Sequence, residues 1–238
     1  MLPQGGAYRS NVFRVATFNV HGCRGDDGVL DLARTAATVV STGAALIALQ
    51  ELDCNLARSG RIDQPAELTR LTGLPVSFRA TIARGGGRYG HGIAARGLDE
   101  ERVVKLPRVG DEEPRVAITA RWRGLSVVAT HLAWQRSVAA RQLAVLGELS
   151  DELEPPVLVL GDLNLPRHRL DPLLERGFTT GPRRGTFKSP VIRSQIDYVL
   201  AGPGLVLESL DTIEGRASDH LPLVGTLARD PRSRSSTR

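Results

Sequence analysis

Cysteine is scarce in this chain. Cys23 and Cys54 are its two thiols, and no C-x-x-C pair is present, so a zinc ribbon and a disulfide framework are both excluded. Aromatic residues make up only 4% of the sequence, which leaves few candidates for base-stacking platforms. Lysine is nearly missing, at Lys105 and Lys188 alone, so the formal charge of +5 is carried by arginine. That balance suits a polyanionic partner, although a genome-wide preference for arginine would produce it equally well. No apolar run reaches the roughly 18 residues of a membrane-spanning helix. Met1–Asn11 does not show the basic-then-apolar pattern of a secretory signal, and a cytoplasmic location is expected.

A chain of 238 residues with 41% hydrophobic and 24% charged residues can bury a core without staples. One domain over residues 11–228 is expected, with a flexible start at 1–10 and a disordered basic tail at 229–238, which lacks apolar residues. Between these ends, β-rich runs alternate with a few helical ones. Strands are expected at Phe13–Val20, Ala44–Leu49, Val76–Ile82, Gly92–Ala95, Val157–Leu160, Ile196–Leu200, Leu205–Leu210 and Leu221–Leu227. Val116–Trp122 and Leu125–Thr130 read as a hairpin turning at Arg123-Gly124. Helical spacing marks Asp31–Val40 and Ser137–Leu149.

Several strands give way to polar residues where their apolar pattern stops. Asn19, Glu51, His131 and the pair Asp162/Asn164 all stand at such points, which is how a rigid scaffold assembles a site. If the chain stays extended through Gly161-Asp-Leu-Asn164, Asp162 and Asn164 face the same side, where a carboxylate can orient water and a carboxamide can hold a phosphate oxygen. Taken alone, the segment would read as a turn. Ser218-Asp-His220 places a histidine before a strand, and Asp197 in Gln195-Ile-Asp-Tyr198 is a candidate to fix its tautomer. Glu51 and Asp219 supply the carboxylate oxygens that a hard cation such as Mg²⁺ selects. Gly85–Gly92 reads as a basic, glycine-rich hairpin connection, with His91 given no catalytic part.

Taken together, Thr17-Phe-Asn19-Val, Leu49-Gln-Glu51, Ala129-Thr-His131-Leu, Gly161-Asp162-Leu-Asn164, Gln195-Ile-Asp197-Tyr and Ser218-Asp219-His220 resemble the endonuclease/exonuclease/phosphatase family. The resemblance runs from about Asn11 to Leu227. It implies a DNase-like, four-layer α/β/β/α sandwich of two packed mixed sheets, with the site at one end of the sheet pair. It also implies a metal-dependent phosphoric ester hydrolase. Glu51 would be the principal Mg²⁺ ligand, with Asn19 and Asp219 close by, and Mn²⁺ a possible substitute. Asp162 would orient or deprotonate the attacking water and Asn164 would bind the phosphate. His220, held by Asp197, would stabilise phosphoryl oxygens or act as the base. His131 and Arg115 would meet the phosphate from the other side.

The chain departs from the abasic-endonuclease branch, which has an acidic residue where His21 stands and an aromatic-rich stretch before its Ile-Asp-Tyr motif. The leading expectation is a monomeric nuclease acting on DNA or RNA. A phospholipid-headgroup or small-ester phosphodiesterase is the enzymatic alternative, and a non-catalytic nucleic-acid-binding module is the other. Cys23 and Cys54 follow Asn19 and Glu51 closely, so an oxidisable pair is the alternative to two reduced thiols, the default in the cytosol.

Overall fold

Two sheets pressed face to face, each backed by helices, make up the computed structural model, which describes residues 12–188 and 193–232. The first half contributes β1 (Val12–Asn19), α1 (Leu32–Ser41), β2 (Leu46–Cys54), α2 (Gln64–Thr72), β3 (Val76–Arg84), β4 (Gly87–Ala95) and β5 (Leu98–Lys105). The second contributes β6 (Val116–Trp122), β7 (Leu125–His131), α3 (Arg136–Glu152), β8 (Val157–Asp162) and α4 (Asp171–Leu174). The chain continues through β9 (Phe187–Lys188), β10 (Arg193–Ser194), β11 (Asp197–Ala201), β12 (Leu205–Thr212) and β13 (Leu223–Arg229). The six-stranded sheet has the order β12-β13-β1-β2-β4-β3, and the five-stranded sheet runs β11-β8-β7-β6-β5.

Each sheet is mixed. β1 and β2 are parallel, as are β7 and β8, and the remaining pairs in both sheets are antiparallel. Val15, Leu46 and Ile93 from one sheet meet Ile118, Val127, Leu160 and Val199 from the other in the central core. Trp122 is 1% exposed there, and Phe13 packs against it at 5.8 Å between ring centres. Burying a side chain of this size stabilises the fold by about 3 kcal/mol. On the outer faces, α1 and α2 cover the first sheet through Ala36, Val39 and Leu68, and α3 covers the second through Leu143 and Leu146. The central strands are therefore apolar on both faces, which is why so many read as unbroken hydrophobic runs rather than alternating ones.

Besides the two-residue strands β9 and β10, the elements α2, β5 and α4 were not expected from the sequence. The helix α2 carries ordinary punctuation, with Asp63 accepting from the Ala66 N–H and Gly73 closing it at φ 70°. The edge strand β5 escaped notice because Leu-Asp-Glu-Glu-Arg is charged, a composition that guards a sheet edge against mispairing. The helix α4 is a single short turn. Of the segment expected to be a glycine-rich connection, only Gly85-Gly86 is a turn, and Gly87–Gly92 belongs to β4. Gly90 is needed there: a Cβ would lie 2.1 Å from the Arg79 carbonyl oxygen of the neighbouring strand. At the C-terminus, β13 runs to Arg229 and the Asp230 N–H donates to the Gly204 carbonyl. The flexible start at 1–10 and the rest of the tail from residue 233 lie outside the described residues. Among the described residues, no helix is long and apolar enough to cross a membrane.

Candidate active site

Topology brings the polar strand ends together. The parallel pairs β1/β2 and β7/β8 deliver their C-terminal ends to one rim, where Asn19, His131 and Asp162 stand. Antiparallel neighbours start at that same rim. Asp197 opens β11 directly opposite Asp162, and β13 begins with Leu223 opposite Thr17, leaving His220 just before it. A cavity of about 420 Å³ opens here, lined by Asn19, Glu51, Arg115, His131, Asp162, Asn164, Asp219 and His220. Asp197 lies behind His220. All the residues singled out in the sequence therefore converge on one place.

Asp162 is the centre of the arrangement and is 1% exposed. Gly161 before it lets β8 press against β7, since a Cβ there would sit 2.1 Å from the Thr130 carbonyl oxygen. The Asp162 Oδ2 accepts from Asn19 Nδ2 at 3.1 Å and lies 3.5 Å from His131 Nε2 and 3.8 Å from His220 Nε2. Its Oδ1 accepts the Asn164 N–H at 3.0 Å. The chain is not extended here, because Asn164 has φ 50°, yet its side chain still reaches the cavity. Burial, reinforced by the charge of Asp197, pushes the Asp162 carboxyl up to about 7, against the opposing pull of His220, Asn19 and the Asn164 amide.

The two histidines that face this oxygen have opposite surroundings. For His220, burial favours the neutral ring, but the charge and hydrogen bond of Asp197, aided by Asp162 and Asp219, outweigh it and raise the ring to about 10. Its Nδ1 donates to Asp197 Oδ2 at 2.9 Å, and Phe187 packs on the ring at 5.0 Å between centres. For His131, burial and then the cation of Arg115 hold the ring well below its ordinary value. Arg115 Nη1 lies 3.0 Å from His131 Nδ1. A guanidinium can only donate, so Nδ1 accepts and the hydrogen sits on Nε2, facing Asp162.

The outer side of the cavity is acidic and half-open. The expectation that Glu51 ends its strand is corrected by the structure: β2 continues to Cys54 through a bulge between Leu49 and Leu52. Glu51 sits in that bulge at φ 61°, a left-handed conformation that costs a non-glycine residue on the order of 1 kcal/mol. A bulge re-aims a side chain, and this one turns Glu51 into the cavity. Gln64 of α2 holds the flank, accepting the Asp53 N–H at 2.8 Å and donating to the Gly22 carbonyl at 2.7 Å. Glu51 Oε1 accepts from Asn19 Nδ2 at 3.0 Å, so this amide bridges Glu51 and Asp162. Asp219 Oδ1 accepts from Ser218 Oγ at 3.1 Å and lies 3.5 Å from His21 Nδ1. These half-buried carboxylates are oxygen donors of the type a hard divalent cation takes. A second candidate set, Asp162, Asp197 and His220, has ligand atoms within 4.8 Å of one another but is buried and already joined by the His220–Asp197 bond.

Sequence reasoning missed several lining residues. Tyr89, Glu113 and Trp134 reach the cavity from β4, from the segment before β6 and from the turn after His131. Trp134 had a readable signal, standing three residues past His131 and two before α3. Glu113 had none, since its place depends on its approach to Arg115, 3.0 Å from Nη1 to Oε1. His168 is exposed, and Cys23 and Cys54 are buried free thiols, with burial pushing Cys23 up to about 12.

Known structures share this architecture. An endonuclease/exonuclease/phosphatase from Beutenbergia cavernae DSM 12333 superposes with a TM-score of 0.74 at 22% identity, covering 92% of this chain and 72% of the other. Humanized D. rerio TDP2 gives 0.70 at 18% identity, over 92% and 99% of the two chains. The human Nocturnin catalytic domain, solved with bound sulfate anion, gives 0.67 at 18% identity, over 92% and 95%. No curated protein matches the sequence. A model of the Endonuclease/Exonuclease/phosphatase family matches residues 16–220, which include every residue of the cavity described above. With its two packed mixed sheets and its buried Asp162 between paired histidines, the chain belongs to the endonuclease/exonuclease/phosphatase family and is a phosphoric ester hydrolase.

Proposed function

We propose that the protein is a Mg²⁺-dependent phosphodiesterase whose substrate is nucleic acid. The observation that carries this reading is the single Asp162 oxygen faced by two imidazole Nε2 atoms, at 3.5 and 3.8 Å, beside a rim of carboxylates. Glu51 and Asp219, with Asn19 beside them, would hold the cation. Bound there, Mg²⁺ (or Mn²⁺, which takes the same oxygens) supplies positive charge against the charge that builds on phosphorus oxygens during displacement.

The chain's own groups divide the remaining work. Asp162 takes the proton of the attacking water as its oxygen bonds to phosphorus and the bond to the leaving oxygen breaks. His220, fixed through Nδ1 by Asp197, presents Nε2–H to the developing negative charge. His131 presents its own Nε2–H from the opposite wall. The Asn164 amide donates one hydrogen to the Leu132 carbonyl at 3.0 Å, which fixes the carboxamide and leaves its second N–H for a phosphate oxygen. Arg115 sits behind His131 and 8% exposed, where it orients that ring and adds positive charge to the phosphate wall.

Nucleic acid is favoured by the basic balance of the chain and by the family itself, two of whose three named activities are nucleolytic. Nicking of plasmid DNA, or cleavage of an RNA, that needs Mg²⁺ and stops in EDTA is the expected result. Turnover of bis-p-nitrophenyl phosphate with no cleavage of any nucleic acid would overturn the substrate and point to a small ester or lipid headgroup. Salt-sensitive binding without hydrolysis under any divalent ion would overturn the enzymatic reading.

A further inference from the structure

Beyond the phosphate-handling residues, one side of the cavity continues into a second groove. Asn164 and Ile196 line both, so the two are continuous. The groove adds Arg136, Arg167 and Arg183 and, among the described residues, contains no carboxylate. None of these three arginines is paired with a carboxylate among the described residues. The Arg167 guanidinium is instead fixed by the Gly181 and Thr180 carbonyls, at 2.7 and 3.3 Å, which orient it without neutralising it. On the opposite side of the cavity, Arg58 and Arg84 share their recess with Glu51 and Glu113, so the uncompensated positive charge lies toward Arg167.

Trp134 lines the main cavity two residues before Arg136 of the basic groove, with a recess of Glu112, Glu113 and Arg115 on its other flank. It is 73% exposed, although the chain has only two tryptophans and the other, Trp122, is buried. An indole exposed at the mouth of a cavity offers a flat π-face on which a base can stack. The segment is rigid. The Leu132 N–H donates to the Asp162 carbonyl at 2.9 Å, the Ala133 N–H donates to Gln142 Oε1 at 2.8 Å, and α3 starts directly afterwards. Backbone hydrogen bonds of the two residues that follow His131 thus hold an aromatic plate at the cavity mouth.

We infer that Trp134 is a stacking platform for an unpaired base next to the scissile phosphate, and that Arg136, Arg167 and Arg183 carry the adjoining backbone of a single-stranded nucleic acid. The inference rests on the nucleic-acid reading above and narrows it. A paired base in a duplex offers no free face to an indole, whereas a single strand does. Successive phosphates then fall along a groove of unpaired guanidinium groups, which attracts a backbone of any sequence. The substrate preference is single strand over duplex, with little dependence on base identity.

The test couples the enzyme to the base. Cleavage of a single-stranded oligonucleotide is measured for wild type, Trp134→Ala and Trp134→Phe, with an abasic residue walked along the strand. Stacking on an aromatic side chain supports a loss of about tenfold in kcat/KM for Trp134→Ala. Trp134→Phe restores most of it. At one position, the abasic residue costs wild type the same factor and costs Trp134→Ala nothing further. Arg136→Gln and Arg183→Gln each flatten the salt dependence of binding by about one ion. In EDTA, the oligonucleotide quenches the fluorescence of exposed Trp134 and leaves that of Trp122. If wild type cuts nucleic acid but Trp134→Ala keeps its kcat/KM, its abasic profile and its salt slope, this inference fails and the nuclease reading stands. If wild type hydrolyses bis-p-nitrophenyl phosphate and cuts no nucleic acid, both fail together.

Discussion

His131 and His220 face one oxygen of one carboxylate from opposite walls, yet they are built to be different. The wall behind His220 is anionic: Asp197 is fully buried and holds Nδ1, and the ring is pushed up to about 10. The wall behind His131 is cationic: Arg115 holds Nδ1, His91 lies beyond, and the ring is held neutral. The same side chain at similar distances from Asp162 thus becomes a charged donor on one side and a neutral donor on the other. What distinguishes the two is the residue bonded to the far nitrogen, Asp197 for one and Arg115 for the other.

The largest effect is expected on the anionic wall and at the oxygen itself. His220→Ala and Asp162→Ala are each expected to lower kcat by two to three orders of magnitude while leaving the thermal unfolding profile cooperative, as when one preorganised group is lost. Near-normal turnover in either purified variant would dissolve the contrast between the walls. Asp197→Asn keeps the shape but removes the charge that sustains the His220 imidazolium. A loss of about a hundredfold in kcat is expected, with KM little changed. A smaller effect is expected opposite. Arg115→Met is expected to cost about tenfold in kcat/KM and to raise the pKa of His131, read by NMR of its ring, because the cation that depresses it is gone. An unchanged His131 titration would mean that burial and the neighbouring histidines, not Arg115, set it.

How much of this was visible in the amino-acid order follows from what kind of physics fixes each part. The central strands were readable because burial on both faces writes long apolar runs, as in Val157–Leu160, and the fold followed from six motifs in family order. Asn19, His131 and Asp162 were readable because they stand where such runs stop. The edge strand β5 was not, since its charged residues answer to solvent rather than to a core. Nor was the contrast between the histidines. Arg115 could be placed near the phosphate, but its bond to His131 Nδ1 depends on β6 and β7 lying side by side. Likewise Glu51 reads as a strand end, whereas the bulge that aims it is set by the pairing of β2 with β4.

The smallest expected effect is on stability, and it sharpens the comparison by asking what lies behind the cationic wall. His91 on β4 is 2% exposed, its Nε2 has no hydrogen-bond partner among the described residues, and burial followed by the charge of Arg115 lowers it to about 4, a bond with the Ala129 backbone pulling the other way. Its ordinary value is about 6.5, so the unfolded chain binds this proton more tightly than the folded one. The stability that neutral His91 permits is therefore complete above about pH 6.5 and is lost as pH falls toward 4. The linkage is worth up to about 3 kcal/mol. Asn at this position has no proton to bind in that window. Urea unfolding of His91→Asn from pH 7 to 4 is expected to fall less steeply than wild type, by an amount that grows as pH drops. Parallel curves would place His91 in contact with water or with an anion, and the charge of Arg115 would then not extend past His131 to β4.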